Sequence, residues 1–170
     1  MQLYLENESA ISFEFNAEEI AGMVINKVLE AEKCPFDVEV NLLITDNEGI
    51  REYNSSMRDI DKATDVLSFP GLFFEEPSKF FIPKEEEADY TNPENGLIIL
   101  GDIIISAEKV LSQAEEYGHS LIREFAFLIV PSMLHLFGYD HETEDERVIM
   151  EELQEKILTE LNITRESGTN

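Results

Sequence analysis

The pattern of apolar and polar residues along the chain predicts four strands and five helices. The segments with the alternating or continuous apolar character of strands are QLYLEN (2–7), VEVNLLI (38–44), DVLSF (65–69) and LIILGDIII (97–105). Elsewhere, apolar residues recur every three or four positions, which is typical of one face of a helix. Strands and helices mixed around one core indicate a single α/β (α+β) domain over residues 1–163. In it, a mixed sheet of about four strands packs on helices.

Capping residues predict where the helices begin, because Ser, Thr, Asp and Asn side chains accept hydrogen bonds from the free N–H groups of a first helical turn. The predicted caps are Asn16, Asp46, Ser106, Ser120 and Thr143, and Glu146 completes a capping box with the last of them. The helix after Ser120 is apolar on nearly all sides and should be buried. The residues predicted to face the core elsewhere are Ile20, Met23, Val24 and Val28 in the first helix, Ile50, Tyr53 and Met57 in the second, and Ile149, Leu153, Ile157 and Leu161 in the last.

Two segments interrupt this regular pattern. Residues 70–96 contain four prolines, and within 75–94 seven acidic residues stand against only two lysines. Prolines and a net negative charge predict a long mobile acidic loop, which we place beside the functional site rather than in the core. The last residues, 164–170, are predicted to form a frayed tail.

Composition narrows the classes of function. The chain has 170 residues, of which 37 are acidic and 12 basic, so its formal net charge is −25. This charge disfavours a protein that coats nucleic acid. It is compatible with a nuclease that has a local cationic groove, since salt screens charges beyond about 8 Å. Cys34 is the single cysteine, and no segment has the pattern of a signal peptide or a membrane span. We therefore expect a cytoplasmic protein without membrane partners.

The stretch PSMLHLFGYDH (131–141) carries the candidate chemistry. Gly138 separates His135 from His141, and glycine readily adopts the left-handed conformation that ends a helix and turns the chain back. This pattern matches the second half of a zinc motif in which two histidines lie four apart on a helix and a third follows a glycine. Pro131 occupies the first histidine position, and Ser132 the position of the glutamate base of zinc peptidases. The pattern therefore favours a two-histidine metal site without a peptidase base.

Four stretches of the chain carry a resemblance to a known family. They are LLITDNEGIREYN (42–54), TDVLSFP (64–70), LGDIIIS (100–106) and GHSLIREFAFLIVPSMLHLFGYDH (118–141). In their residues, order and spacing they resemble the YbeY family, the bacterial ribosomal RNA maturation factors, which are metal-dependent single-strand endoribonucleases. The resemblance covers most of the chain. It implies a metal-hydrolase-like fold, in which strands pack on a helix that carries the site in a turn at its end.

The resemblance also implies roles for particular residues. His135 and His141 match the second and third of the family's three metal-ligating histidines, and Pro131 stands at the first. One zinc ion is then expected, bound weakly or not at all, with an impaired activity. Arg58 matches an arginine that precedes the TDVLSF segment and is thought to act on the RNA phosphate. The implied partners are single-stranded RNA, ribosomal RNA and the ribosome. The implied work is trimming at the 3′ end of the small-subunit RNA and ribosome quality control.

Alternative interpretations of the whole chain stay open. It could be a catalytically weak ribosome- or RNA-binding module that has kept the fold and lost the metal. A zinc peptidase is a third class, which Ser132 disfavours because serine cannot serve as the glutamate base. Bound metal discriminates between the nuclease and the binding module.

Single residues also have alternative interpretations. Arg58 could pair with Asp59 or Asp61 instead of binding phosphate. Asp140 could orient an imidazole or a metal-bound water, or it could only cap the turn. His119 is interpreted as structural, because it precedes the helix whose far end carries the metal motif.

Overall fold

A four-stranded sheet runs through the part of the chain that the computed structural model describes, residues 1–163. Its strands are β1 (Gln2–Asn7), β2 (Val38–Thr45), β3 (Val66–Pro70) and β4 (Ile98–Ser106). They lie in the order β1-β2-β4-β3, with β1, β2 and β4 parallel and β3 antiparallel to β4 at one edge. The predicted mixed sheet is confirmed. The tail predicted at 164–170 lies outside the described residues.

Five α-helices accompany the sheet within the described residues. They are α1 (Ala17–Ala31), α2 (Asn47–Arg58), α3 (Ala107–Tyr117), α4 (Leu121–Leu136) and α5 (Glu144–Glu160), and a short 3₁₀ helix spans Glu87–Tyr90. Each predicted capping side chain accepts a hydrogen bond from a backbone N–H in the first turn of its helix. Local hydrogen bonding therefore sets where the helices start, and the architecture is the predicted α+β domain.

Helix α4 lies at the centre of the domain. It packs against α1, α3 and α5 and against strands β3 and β4, and most of its side chains are buried. Its apolar residues therefore find packing partners in every direction, as predicted. The candidate metal motif (131–141) begins inside α4 and continues through the turn after it, so it is attached to this largely buried helix. Within residues 1–163, even the apolar helices are too short or too polar to cross a membrane.

Three of the predicted core positions are wrong. Met23, Met57 and Ile149 leave 40%, 61% and 49% of their surfaces exposed. In α1 and α5 the nearby residues Ile25 and Met150, two and one positions later, are buried instead. Apolar residues flank the core-facing stripe of both helices, so periodicity fits two rotations and only packing selects one. Met57 borders an open groove on the sheet rather than entering the core.

Pro131 lies inside α4 without ending the helix, which continues to Leu136. Proline has no N–H group, so the carbonyl oxygen of Phe127, four residues earlier, loses its helical partner. Gln154 of α5 is buried, and its Nε2 atom donates a hydrogen bond to this oxygen at 3.2 Å. A side chain from the neighbouring helix thus compensates for the proline.

The loop between β3 and β4, residues 71–97, contacts the core through its first half, and Asn92 and Asn95 in its second half donate to the buried carboxylate of Glu39. Leu72 is buried, and the rings of Phe74 and Phe80 pack edge-on against Phe137 at centroid distances of 6.2 and 5.2 Å. These contacts hold the first half of the loop beside the end of α4. The mobility of the acidic loop stays a prediction, which limited proteolysis of the free protein tests.

Candidate metal centre

The chain turns sharply after α4, and Gly138 makes the turn. Its φ of +90° lies in the left-handed region, and a Cβ atom at this position would lie 2.7 Å from the Cβ atom of Phe74. Any other residue would therefore meet both backbone strain and a steric clash. The turn brings His141 back beside His135, and their ring centroids are 5.0 Å apart.

A hydrogen bond to the backbone orients the imidazole of His135. Its Nδ1 atom lies 2.9 Å from the carbonyl oxygen of Tyr139. Because a carbonyl oxygen can only accept, Nδ1 carries the proton and donates. In the neutral ring the Nε2 atom then keeps its lone pair for a cation. Metal-ligating histidines commonly donate their other N–H to such an oxygen, so this bond fits a ligand.

Asp140 joins the two histidines in one cluster. One ligand atom from each of His135, Asp140 and His141 lies within 4.8 Å of the other two. The Oδ1 atom of Asp140 also accepts a hydrogen bond from the backbone N–H of His141 at 2.8 Å. Asp140 therefore caps the turn and also offers a third possible ligand, which motif matching missed. Its position next to His141, directly after the glycine turn, is the sequence signal that could have found it.

The two positions that depart from the zinc motif contribute no metal-binding atom. Pro131 has only a hydrocarbon ring. Ser132 is 1% exposed, and its hydroxyl donates to the carbonyl oxygen of Leu128 at 2.9 Å within α4. The hydroxyl is thus used inside the helix, and position 132 places no base beside the cluster.

A network of hydrogen bonds connects the turn after α4 to other parts of the chain. The hydroxyl of Tyr139 donates to Oε2 of Glu32 at 2.7 Å, and the hydroxyl of Ser78 donates to the same oxygen. The backbone N–H of Ser78 donates to the carbonyl oxygen of Phe137 at 2.9 Å. Burial, reinforced by the hydrogen bond to Glu32, raises the pKa of Tyr139 to about 12, so the phenol remains a donor at neutral pH. The turn that follows α4 (137–141, the candidate metal turn) is therefore tied both to the C-terminal end of α1 and to the loop 71–97.

Arg58 and the cluster line one open cleft with a volume of about 890 Å³. Arg58 is exposed at the end of α2. Asp61, an alternative partner, is bound instead by Arg51, whose Nε donates to Oδ1 of Asp61 at 2.8 Å. Within residues 1–163 the guanidinium of Arg58 forms no hydrogen bond or ion pair, so the proposed pairing with Asp59 or Asp61 is absent there. The charge of Arg58 is left for a ligand in the cleft.

His119 lies just before the start of α4, whose 16 residues span about 24 Å, and His135 lies near the other end. Its side chain is 7% exposed, and its Nε2 atom lies 2.5 Å from Oε2 of Glu124. Gln113 donates to the other carboxylate oxygen of Glu124 at 2.7 Å. The buried Nε2 of His119 and carboxylate of Glu124 are thus paired with each other, which supports the structural interpretation of His119, although its Nδ1 atom has no hydrogen-bond partner among residues 1–163.

Comparisons with known proteins identify the family and the fold of the chain. A family model described as Endoribonuclease YbeY matches residues 4–162. Proteins named Endoribonuclease YbeY from Agathobacter rectalis and Lachnoclostridium phytofermentans are 53% and 48% identical over 165 residues, which cover 97% of this chain and 100% of theirs. The solution structure of TM1509 from Thermotoga maritima, 22% identical, matches with a TM-score of 0.55 over 95% of this chain and 92% of its own, so the two share a fold. The chain belongs to the Endoribonuclease YbeY family.

Proposed function

We propose that the chain is a metal-dependent endoribonuclease that cuts single-stranded RNA and matures ribosomal RNA. Membership of the endoribonuclease family supports this class of reaction. The observation that carries the proposal is the cleft that Arg58 shares with His135, Asp140 and His141. A cation site and a guanidinium both attract phosphate, and together they can grip an RNA backbone.

His135 and His141 are the proposed metal ligands, with Asp140 as the third, and the proposed metal is one zinc ion. Two imidazole nitrogens and one carboxylate, with a fourth position open, form a ligand set found in catalytic zinc sites. A divalent cation there would supply Lewis acidity to the phosphate and activate the attacking water. The chain itself supplies orientation, since the carbonyl oxygen of Tyr139 selects the tautomer of His135. Because Pro131 replaces an imidazole, weak zinc binding and reduced activity are expected.

Arg58 is the proposed catalytic residue. Its planar guanidinium can donate to two phosphate oxygens at once, where negative charge grows during cleavage. Because this side chain makes no ion pair among residues 1–163, its charge is available to the substrate. Hydrogen-bond donors positioned toward the charge that develops in a transition state typically increase the reaction rate by about 10²–10³-fold.

The proposed cellular role follows the work of the family. We propose that the enzyme acts in the cytoplasm, with the ribosome as its partner, in trimming the 3′ end of the small-subunit RNA and in ribosome quality control. The net charge of −25 repels RNA at long range, which disfavours unselective binding along RNA.

A metal-free ribosome- or RNA-binding module is the second candidate, and Pro131 at a ligand position favours it. Stoichiometric zinc in the purified, folded chain supports the nuclease, and a stably folded chain that takes up no metal supports the module. The zinc peptidase gains no support, because the hydroxyl of Ser132 is buried and bonded within α4.

Cleavage of a single-stranded RNA by the purified chain tests the proposed function. We expect fragments when zinc is added, none when a chelator is added, and far slower cutting of a duplex of the same sequence. The variant His135→Ala, purified in the same way, controls for contaminating nucleases and should be inactive. Equal cleavage by this variant, or in the presence of chelator, would show the proposal to be wrong.

A further inference from the structure

The large apolar side chain of Phe73 is exposed to solvent in the cleft that Arg58 shares with the candidate metal ligands (the metal cleft). It leaves 82% of its surface exposed and lines the same cleft as Arg58, His135 and His141. A phenylalanine side chain stabilises a fold by being removed from water, so this exposed residue contributes little to the stability of the core. The preceding residue, Leu72, is buried, and the exposure of Phe73 is therefore local to one position.

The backbone on both sides of Phe73 is anchored. The N–H of Gly71 donates to the carbonyl oxygen of Leu100 at 2.9 Å, which attaches the start of the loop to β4. On the other side, Phe74 lies against Gly138 of the metal turn. Because these anchors are two residues before and one residue after Phe73, the ring is presented from a defined position. A ligand that binds it therefore has less backbone entropy to overcome.

We propose that Phe73 is a stacking platform for a nucleobase of single-stranded RNA whose scissile phosphate lies at Arg58 and the metal cluster. This inference rests on the proposed function and adds the part of the substrate that the cleft recognises. Aromatic side chains bind unpaired bases by stacking, which tolerates any sequence because every base has a flat face. A base inside a duplex is already stacked on its neighbours. Phe73 therefore contributes to the preference for single strands.

Phe81 of the same loop provides a matched control. It leaves 76% of its surface exposed, and it shares with Phe73 a smaller cavity of about 360 Å³. Phe81 does not line the metal cleft described above. If the exposed rings served a protein partner or a second copy of the chain, the two residues should be equally important. If Phe73 stacks on a base, only Phe73 should respond to RNA.

Tryptophan substitutions test the proposal, because the chain contains no tryptophan. Phe73→Trp and Phe81→Trp each introduce a single fluorophore, to be titrated with a 12-nucleotide oligoadenylate in chelator, which prevents cleavage. We expect quenching of Trp fluorescence by the RNA in Phe73→Trp and no change in Phe81→Trp. An abasic oligonucleotide of the same length should quench neither variant.

Binding measurements by anisotropy with the same oligoadenylate complete the test. Phe73→Ala should weaken binding about tenfold, Phe73→Trp should restore it, and Phe81→Ala should leave it unchanged. The stacking role is wrong if the two alanine variants lose affinity equally, if the abasic strand is weakened as much as oligoadenylate, or if the parent does not bind oligoadenylate. A parent that cleaves RNA without quenching in Phe73→Trp contradicts the stacking alone. Base-dependent quenching without cleavage contradicts only the proposed enzyme.

Discussion

The two ends of α4 both place a histidine near a carboxylate, but they differ in access to solvent. At the first end, the side chains of His119 and Glu124 are 7% and 1% exposed, and they bond to each other. At the second end, Asp140 and His141 are exposed, and their cluster with His135 opens into a cleft. The first pair is bonded internally and closed to solvent, whereas the second cluster keeps atoms free for a cation. Burial and pairing, rather than residue type, distinguish a structural histidine from a candidate ligand.

Alanine substitutions at the two ends of α4 should affect different properties, zinc affinity at one end and stability at the other. His141→Ala removes an exposed ligand, so zinc affinity should fall about 100-fold or more, with little change in the stability of the metal-free protein. His119→Ala leaves the carboxylate of Glu124 buried without its imidazole partner, which should lower the free energy of unfolding by about 3 kcal/mol. Calorimetric zinc titration and urea unfolding measure the two effects.

Similar behaviour of His119→Ala and His141→Ala would contradict the distinction between a structural histidine and a metal ligand. Equal losses of zinc affinity would show that His119 supports the metal site. A His119→Ala variant as stable as the parent would show that the buried pair adds nothing to the fold. His119→Gln serves as a further control, because its amide can still donate to the carboxylate of Glu124 and should recover part of the lost stability.

Two arginines of α2 differ in the same way, because Arg51 is paired with Asp61 and Arg58 has no ion pair within residues 1–163. Arg58→Ala should lower the turnover of single-stranded RNA about 100-fold, because a donor to developing phosphate charge is lost. Arg58→Lys should recover little, since lysine lacks the planar fork. Arg51→Ala is the matched control, because Arg51 is already bound to Asp61 at the surface, and its loss should change turnover by less than about twofold. Turnover at equal zinc loading is the measurement, and unchanged turnover in Arg58→Ala would exclude this catalytic role.

Replacement of the proline should strengthen the metal end of the helix. Pro131→His places an imidazole on the helix face that carries His135, one turn earlier. Zinc affinity should rise at least about tenfold, since zinc sites gain free energy from each added ligand. The thermal stability of the zinc-loaded protein and its cleavage of single-stranded RNA should rise with it. If parent and variant bind zinc equally well, Pro131 is not a lost ligand position.

The hydrogen bond from Gln154 to the carbonyl oxygen of Phe127 should depend on Pro131. In the parent, Gln154→Met leaves the carbonyl oxygen of Phe127 without this donor, at a cost of about 1–2 kcal/mol in unfolding free energy. In Pro131→His the helix regains an N–H four residues after Phe127, so the same change should cost less. A double-mutant cycle in urea, without metal, measures the coupling. Equal costs in both backgrounds would show that Gln154 does not compensate for the proline.

The parts that were predictable from the sequence depend on local signals. The capping side chains act within one helical turn, and Gly138 acts through its own backbone angle, so the helix starts and the metal turn follow from short stretches. The motif residues His135 and His141 also lie within one such stretch. Arg58 came from the resemblance, and its place in the cleft depends on how α2 packs on the sheet.

The parts that were not predictable depend on contacts between distant residues. The choice between Met23 and Ile25 for the buried face of α1 is made by packing. The donor to Phe127 comes from α5, 27 residues later. The exposure of Phe73 also escaped prediction, because an apolar residue between apolar neighbours in a loop carries no sign of which side chain enters the core.

We expect His135, Asp140 and His141 to hold the metal on which RNA cleavage depends. Stepwise addition of zinc to the chelator-treated chain, with zinc binding and cleavage of a single-stranded RNA followed in the same samples, tests this role of the three residues. We predict no cleavage before zinc, and a rise in cleavage that follows the binding of one zinc ion. In Asp140→Asn, which keeps an oxygen for capping the turn, both curves should shift to higher zinc concentrations. Cleavage that is independent of zinc would show that the reaction needs no metal at this cluster, and curves that Asp140→Asn leaves unshifted would show that Asp140 is not a ligand.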